Sequence, residues 1–235
     1  MAIRENAVID MSLNEIVKKY GKMVSALCRR MIMDADEAED TAQEAWIEII
    51  NSLPSFKGDS QISTWIYAIT KRVIFKHIKK ERLYSTRFLH KVFTEGNELA
   101  IPDMHPADKK MWIKDKCDNC LTAIVHCLDS EARLSYLFKE IIGLSYKEIA
   151  HILEKSETNV RQMISRSKRK ITNFLGKNCI LYKQDAACNC RNKRAVQEVD
   201  LPEEYNKLRE TIHKICFCRQ MEIVLPRKNY WEKFL

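Results

Sequence analysis

The stretch "GLSYKEIAHILEKSETNVRQMISRSKRK", Gly143 to Lys170, leaves this chain few ways to fold. It holds two short apolar patterns, a polar break between them, and a burst of positive charge at its end. Ser145 followed by Glu148 fits a capping box, in which each side chain satisfies a free backbone N–H at a helix start. Ile149, Ala150, Ile152 and Leu153 supply the apolar side of a short helix. Glu154-Lys155-Ser156 interrupts the pattern; Ser156 is a good second cap, and Glu157 suits the positive end of a helix dipole. Val160, Met163, Ile164, Ile171 and Phe174 then recur at three- and four-residue steps on one face. Thr158, Arg161, Gln162, Ser165, Arg166 and Arg169 line the opposite face. A helix–turn–helix presents such a face to the major groove, with polar side chains on base edges and cations such as Lys168 or Arg169 on phosphates. A helical hairpin with a solvated basic face satisfies the same periodicity, so the rest of the chain has to decide.

Gly and Pro number only five each in 235 residues, which favours helices over turn-rich sheet. Neither GxxxxGK nor GxGxxG occurs, so no phosphate-cradling loop is predicted. The six His form no HExxH and no catalytic ligand cluster with Glu, and the chain is expected not to be an enzyme. No apolar run reaches the length of a membrane span, and "MAIRENAVID" is too polar for a signal peptide, so the expected location is the cytoplasm. The net charge of +8 favours an anionic partner. Its distribution says more: "DADEAEDTAQEAWIE", Asp34 to Glu48, has seven acids and no base, whereas "KRVIFKHIKKER", Lys71 to Arg82, has six bases and one acid. One acidic helix and two basic ones suggest two kinds of contact, a protein partner and a polyanion.

Leu13 to Arg82 is helical in pattern almost throughout, broken by a loop over Asn51 to Ser60 with Pro54 and Gly58. Periodicity weakens over about Tyr84 to Lys116, which reads as a linker with room for a short helix, and returns from Cys117 to Leu175. After Gly176 the composition shifts to a Cys-containing tail.

In this order the parts resemble bacterial RNA polymerase sigma factors of the sigma-70 family, extracytoplasmic-function (ECF) group. "DADEAEDTAQEAWIEII" is similar to that family's region two, whose D-x-x-Q-E pattern docks on the polymerase clamp; here it falls on Asp40, Gln43 and Glu44. "FKGDSQISTWIYAITKRVIFKHIKK" resembles the element that melts and reads the promoter −10 region. The resemblance implies DNA contacts there for Lys57, Asp59, Ser60, Trp65, Lys71, Arg72 and Lys76. The chemistry agrees, since opening a duplex takes cations for phosphates and aromatic faces for displaced bases. Ile66 and Ile69 are expected in the core, and burial and base contact are both open for Trp65. The stretch from Leu128 to Ile171 is similar to region four, which implies −35 contacts for Thr158, Asn159, Arg161, Gln162, Ser165, Arg166 and Arg169. The family often has Gly where Glu154 stands, an apolar residue where Lys155 stands, and Asn where Arg72 stands. The fold expected is all-α, with two helical domains: a region 2 helical bundle over 10–83, a linker over 84–116, a region 4 helix–turn–helix over 117–176, and a small Cys-containing extension over 177–235. The partners implied are core RNA polymerase (β′ clamp and β flap), double-stranded promoter DNA, the melted non-template strand and an anti-sigma factor. The competing reading is a metal- or thiol-responsive helix–turn–helix operator-binding regulator acting without polymerase; such a protein has no need of the acidic D-x-x-Q-E helix.

Nine Cys without secretory features read as reduced thiols or metal ligands. Cys117, Cys120 and Cys127 fall roughly on one helical side and are expected as small core residues, as is Cys28. No cofactor is required by the leading reading. Cys188, Cys190, Cys216 and Cys218, with His213 as a substitute, could close a tetrahedral zinc site; packed reduced thiols are the alternative. Because both DNA-reading segments and the acidic helix precede Gly176, a chain truncated after Lys177 should fold and still select a promoter. Promoter-selective transcription by that truncated chain checks this. Metal analysis decides between zinc and packed thiols: less than about a tenth of an equivalent, with folding insensitive to chelator, removes the metal site.

Overall fold

The structure, a computed structural model, describes residues 11–78, His105 and 122–178. The described residues contain helices and turns and no strand. The helices are α1 (Leu13–Met31), α2 (Ala35–Ser52), α3 (Ile62–His77), α4 (Ser130–Leu137), α5 (Tyr146–Leu153) and α6 (Glu157–Asn178). By packing they divide into two units, one holding α1, α2, α3 and α5, the other holding α4 and all of α6 after its first residue.

In the first unit each helix start has its own local reason. Ser12 caps α1 in a closed capping box: its Oγ accepts from Glu15 N–H at 3.3 Å, and Glu15 Oε2 accepts from Ser12 N–H at 2.7 Å. The bond from Ser12 N–H, and a second that the Ser12 hydroxyl donates to Glu15 Oε2 at 2.8 Å, also hold the Glu15 carboxyl below its ordinary range. Asp34 Oδ1 caps α2 by accepting from Asp36 and Glu37 N–H at 3.0 and 2.9 Å. The sequence pattern placed a loop over 51–60; α2 instead runs to Ser52 and a 3₁₀ turn follows over Leu53–Ser55, with Pro54 inside it. Gly58 takes φ 72°, which a residue without Cβ holds without strain.

The core of this unit forms on the face that α2 turns inward: Ala38, Thr41, Ala42, Ala45, Trp46 and Ile49, all buried. Three alanines keep that face narrow, and the Trp46 ring, 0 % exposed, fills the space beside them. Ile16, Val24 and Leu27 of α1 and Ile66, Val73 and Ile74 of α3 are also 0 % exposed. Tyr20 and Tyr67 meet edge to face at 6.4 Å, and burial pushes the Tyr67 hydroxyl's pKa up. Cys28 is buried as expected, and desolvation raises its thiol to about 12, so it is an inert core thiol.

In the second unit α4 runs into a single π-helical turn, Phe138–Ile142, which Gly143 ends at φ 84°. The Gly143 and Leu144 N–H groups both donate to the Phe138 carbonyl, at 2.9 and 3.0 Å. Val160, Ile164, Ile171, Phe174 and Leu175 of α6 are buried, together with Leu134, Leu137 and Phe138. Arg133, 1 % exposed, lies with a guanidinium nitrogen 3.2 Å from His126 Nε2 and donates to the Leu128 carbonyl at 3.3 Å. Cys127 is buried and its thiol pKa raised by desolvation; Cys117 and Cys120 lie outside the described residues.

Glu140 is also buried, and its Oε1 takes a 2.6 Å ion pair from Lys168 of α6 while its Oε2 has no hydrogen-bond partner among the described residues. Lys168 therefore serves the fold rather than a phosphate in this conformation. Lys168→Met should strand the buried carboxylate and destabilise the protein by about 1–3 kcal/mol. Arg169→Ala, at an exposed position, should stay within about 0.5 kcal/mol. Urea unfolding of the two variants makes the comparison.

Candidate functional site

Three surfaces carry the residues singled out by the sequence. The first is the outer side of α2. Asp40 and Gln43 are exposed there, one helical step apart, as the D-x-x-Q-E spacing requires. Glu44 differs from them: it is half-buried and tied to the end of α3. Its Oε1 accepts from Lys76 Nζ at 2.5 Å and its Oε2 from His77 Nε2 at 2.7 Å. An ionised carboxylate can only accept, so the imidazole carries its proton on Nε2 in this pair. Glu48 Oε1 lies 3.6 Å from Lys76 Nζ, and Glu37 Oε1 lies 3.9 Å from His77 Nδ1. The bonds from Lys76 and then His77 hold the Glu44 carboxyl below its ordinary range, and the bond to Glu44 raises the Lys76 ammonium.

The second surface is α3 and the loop before it. Lys57 and Asp59 are exposed, and Ser60 is half-buried. Trp65 is half-buried, its ring 5.2 Å from that of Phe56 at an interplanar angle of 60°. Helical spacing puts Trp65, Arg72 and Lys76 along one stripe of α3, with Arg72 and Lys76 exposed. Lys71 lies off that stripe. It donates to the Ile152 carbonyl at 2.9 Å and pairs with Glu154 at 3.2 Å, both at the end of α5 in the same unit. Thr64, two turns earlier on α3, donates to Glu148 of α5 at 3.4 Å. Ile66 and Ile69 are in the core as expected.

The third surface is the basic helix. Ser145 and Glu148 close the expected capping box of α5, with bonds of 3.2 and 2.7 Å. Glu154 ends α5 in the left-handed conformation, φ 56° and ψ 42°. That is the conformation a glycine would hold without a Cβ penalty, and the substitution leaves about 1 kcal/mol of local strain. In α6, Thr158, Asn159, Arg161, Gln162, Ser165, Arg166 and Arg169 are all exposed. The two central lysines behave differently: Lys168 is held by Glu140, and Lys170 donates to the Cys127 carbonyl at 2.6 Å. These two lysines are thus used within the unit, whereas Arg161, Arg166 and Arg169 are exposed.

Two stretches of the chain match models of one family, "Sigma-70 region 2" over residues 16–84 and "Sigma-70, region 4" over residues 118–171, together just over half of it. The chain belongs to the sigma-70 family. Several of the similar proteins are named as ECF RNA polymerase sigma factors. An RNA polymerase sigma-H factor from Pseudomonas aeruginosa is 29% identical over 164 residues, 68% of this chain and 84% of its own length. The ECF RNA polymerase sigma-E factor of Escherichia coli K12 is 27% identical over 165 residues, 69% and 85% of the two chains. Among solved structures, a sigma factor RpoE in complex with the anti-sigma factor NepR from Bartonella quintana aligns at 16% identity and TM-score 0.49, over 68% of this chain and 94% of that one.

In this sigma-family chain the first two surfaces fall within the region 2 match and the third within the region 4 match. No group of three or more His, Cys, Asp or Glu side chains that could hold a metal occurs among the described residues. Cys188, Cys190, Cys216, Cys218 and His213 lie outside them, as does the linker expected over 84–116, apart from His105. No helix among the described residues is long and apolar enough to cross a membrane.

His77 is the residue the sequence reading missed. It sits in the basic run but gives no sign, by spacing alone, of pairing with a carboxylate more than thirty residues earlier. Because the folded Glu44 carboxyl titrates below its unfolded value, the bridge stabilises the protein above the ordinary carboxylate range near pH 4.3 and is lost as pH falls through the folded value. Glu44→Gln should therefore lower the melting temperature slightly at pH 7, with a loss below about 1 kcal/mol for so exposed a pair, and the difference should vanish in acid. Melts across pH 3 to 8 measure both.

Proposed function

We propose that the exposed α2 face binds core RNA polymerase, that α3 engages the promoter −10 region, and that the α6 face reads the −35 element. The chain would thereby direct polymerase to promoters and help open DNA, without catalysing a reaction itself. The observation that carries this reading is the presence in one chain of two surfaces of different chemistry: an acidic helix face with Asp40 and Gln43 exposed, and a polar, arginine-bearing face of α6 on which every candidate base-reading residue is exposed. Matches to both family regions, in this order, support it. An operator-binding regulator would account for the α6 face and leave the acidic α2 face without a use. The relatives are named as RNA polymerase sigma factors, which makes core polymerase the protein partner of this proposal.

Transcription from promoter DNA with purified core polymerase tests the whole. The chain should confer promoter-dependent initiation, and Asp40→Lys should weaken core binding while the fold persists. On the DNA side, Arg161→Ala or Arg166→Ala should lose about 1–3 kcal/mol and relax selectivity at one position if the guanidinium reads a base. Arg169→Ala should weaken all sequences alike and flatten the salt dependence. Binding titrations against promoter variants at several salt concentrations separate the two. Affinity and selectivity both untouched by the Arg161 and Arg166 changes would remove α6 as the reader.

A further inference from the structure

Glu44 is claimed twice. By its place in the D-x-x-Q-E pattern it is a polymerase contact, yet its carboxylate is occupied by α3. Each oxygen takes one N–H from a basic residue of the last turn of that helix, Lys76 at 2.5 Å and His77 at 2.7 Å. A DNA phosphate would offer these side chains the same thing, two anionic oxygens side by side. Glu48 at 3.6 Å from Lys76 and Glu37 at 3.9 Å from His77 complete an acidic cover over the end of α3. Arg72, one turn earlier on the stripe of Lys76, is exposed. The last turn of α3 is thus covered by carboxylates of α2, while Arg72 one turn earlier is exposed.

We propose that Glu44 is an internal stand-in for a DNA phosphate: in the chain alone it masks Lys76 and His77, and polymerase, by engaging the face that carries Asp40, Gln43 and Glu44, draws it away and releases both side chains to the DNA backbone. This rests on the sigma-factor reading above. The energetics allow it. Glu44 and Lys76 side chains are 36% and 59% exposed, and bridges between such groups are worth only a few-fold in an equilibrium constant, so a competing protein contact can open this one. One carboxylate cannot serve both partners at full strength, so polymerase and DNA act on each other through it. The coupling is reciprocal: DNA that takes Lys76 also frees Glu44 for polymerase.

The probe is a short fluorescent single-stranded DNA of mixed sequence, titrated with the full-length chain in the absence of polymerase at several salt concentrations. Glu44→Gln should bind it about two- to fivefold more tightly than wild type at low salt. The log–log salt slope should steepen by about 0.7 for the released lysine. Adding Lys76→Gln to Glu44→Gln should abolish the gain, which a general loosening of the fold would not do. Circular dichroism confirms folding, and Glu44→Ala, which should behave alike, serves if the Gln variant does not fold. Wild-type affinity and slope in the folded Glu44 variants overturn the mask, as does a gain that survives loss of Lys76. If the wild type supports promoter-dependent transcription while the Glu44 variants bind the oligonucleotide unchanged, only the mask falls. If the wild type binds no core polymerase, the sigma reading and the release step fall together.

Discussion

The buried face of α2 is the constraint from which the region 2 surfaces follow. Ala38, Ala42 and Ala45 carry almost no side-chain bulk, so neighbouring helices can approach α2 closely, and Trp46 and Ile49 supply the apolar area that makes the approach worthwhile. A helix whose inward face is fixed in this way has no rotational freedom left. Asp40 and Gln43 must then face outward, and Glu44, at the border, must meet whatever α3 brings alongside. That α3 brings Lys76 and His77 is a consequence of its own inward set, Ile66, Ile69, Val73 and Ile74, which fixes the rotation of the second helix. The pairing of charges at the junction is the outcome of two apolar faces finding each other, and the weak ionic bond records that geometry more than it creates it.

Unit 2 solves a different problem. Its basic helix must bury one side and show another with cations distributed around both. Glu140 answers this by placing a buried carboxylate where Lys168 comes inward, and the Cys127 carbonyl accepts from Lys170. The π-turn over Phe138–Ile142 adds one residue to the turn there and needs a residue free to take positive φ at its end, which Gly143 supplies.

Helical periodicity made most of this legible beforehand. The buried and exposed sides of α6, the capping box at Ser145, the burial of Cys28 and the core positions Ile66 and Ile69 all follow from spacing and side-chain type, which are local. What spacing could not supply is pairing across helices. Lys71, Lys76 and Lys168 look alike in a basic run, yet one is held by the end of α5, one by Glu44 and one by Glu140. Each partner lies on another helix, at least 28 residues away in sequence. The turn at Glu154 was legible only as a departure from glycine; that the chain keeps the left-handed conformation regardless is a matter of tertiary context overriding local preference.

The division of cations along α6 bears on how the helix meets changing conditions. Guanidinium groups stay protonated at any pH at which a protein remains folded, and threonine, glutamine and serine do not ionise there either. The outward set Thr158, Arg161, Gln162, Ser165, Arg166 and Arg169 has arginine as its one kind of cation. An enzyme that acetylates lysines finds none among these six. Acetylation of lysines has to act elsewhere than on the face that α6 displays.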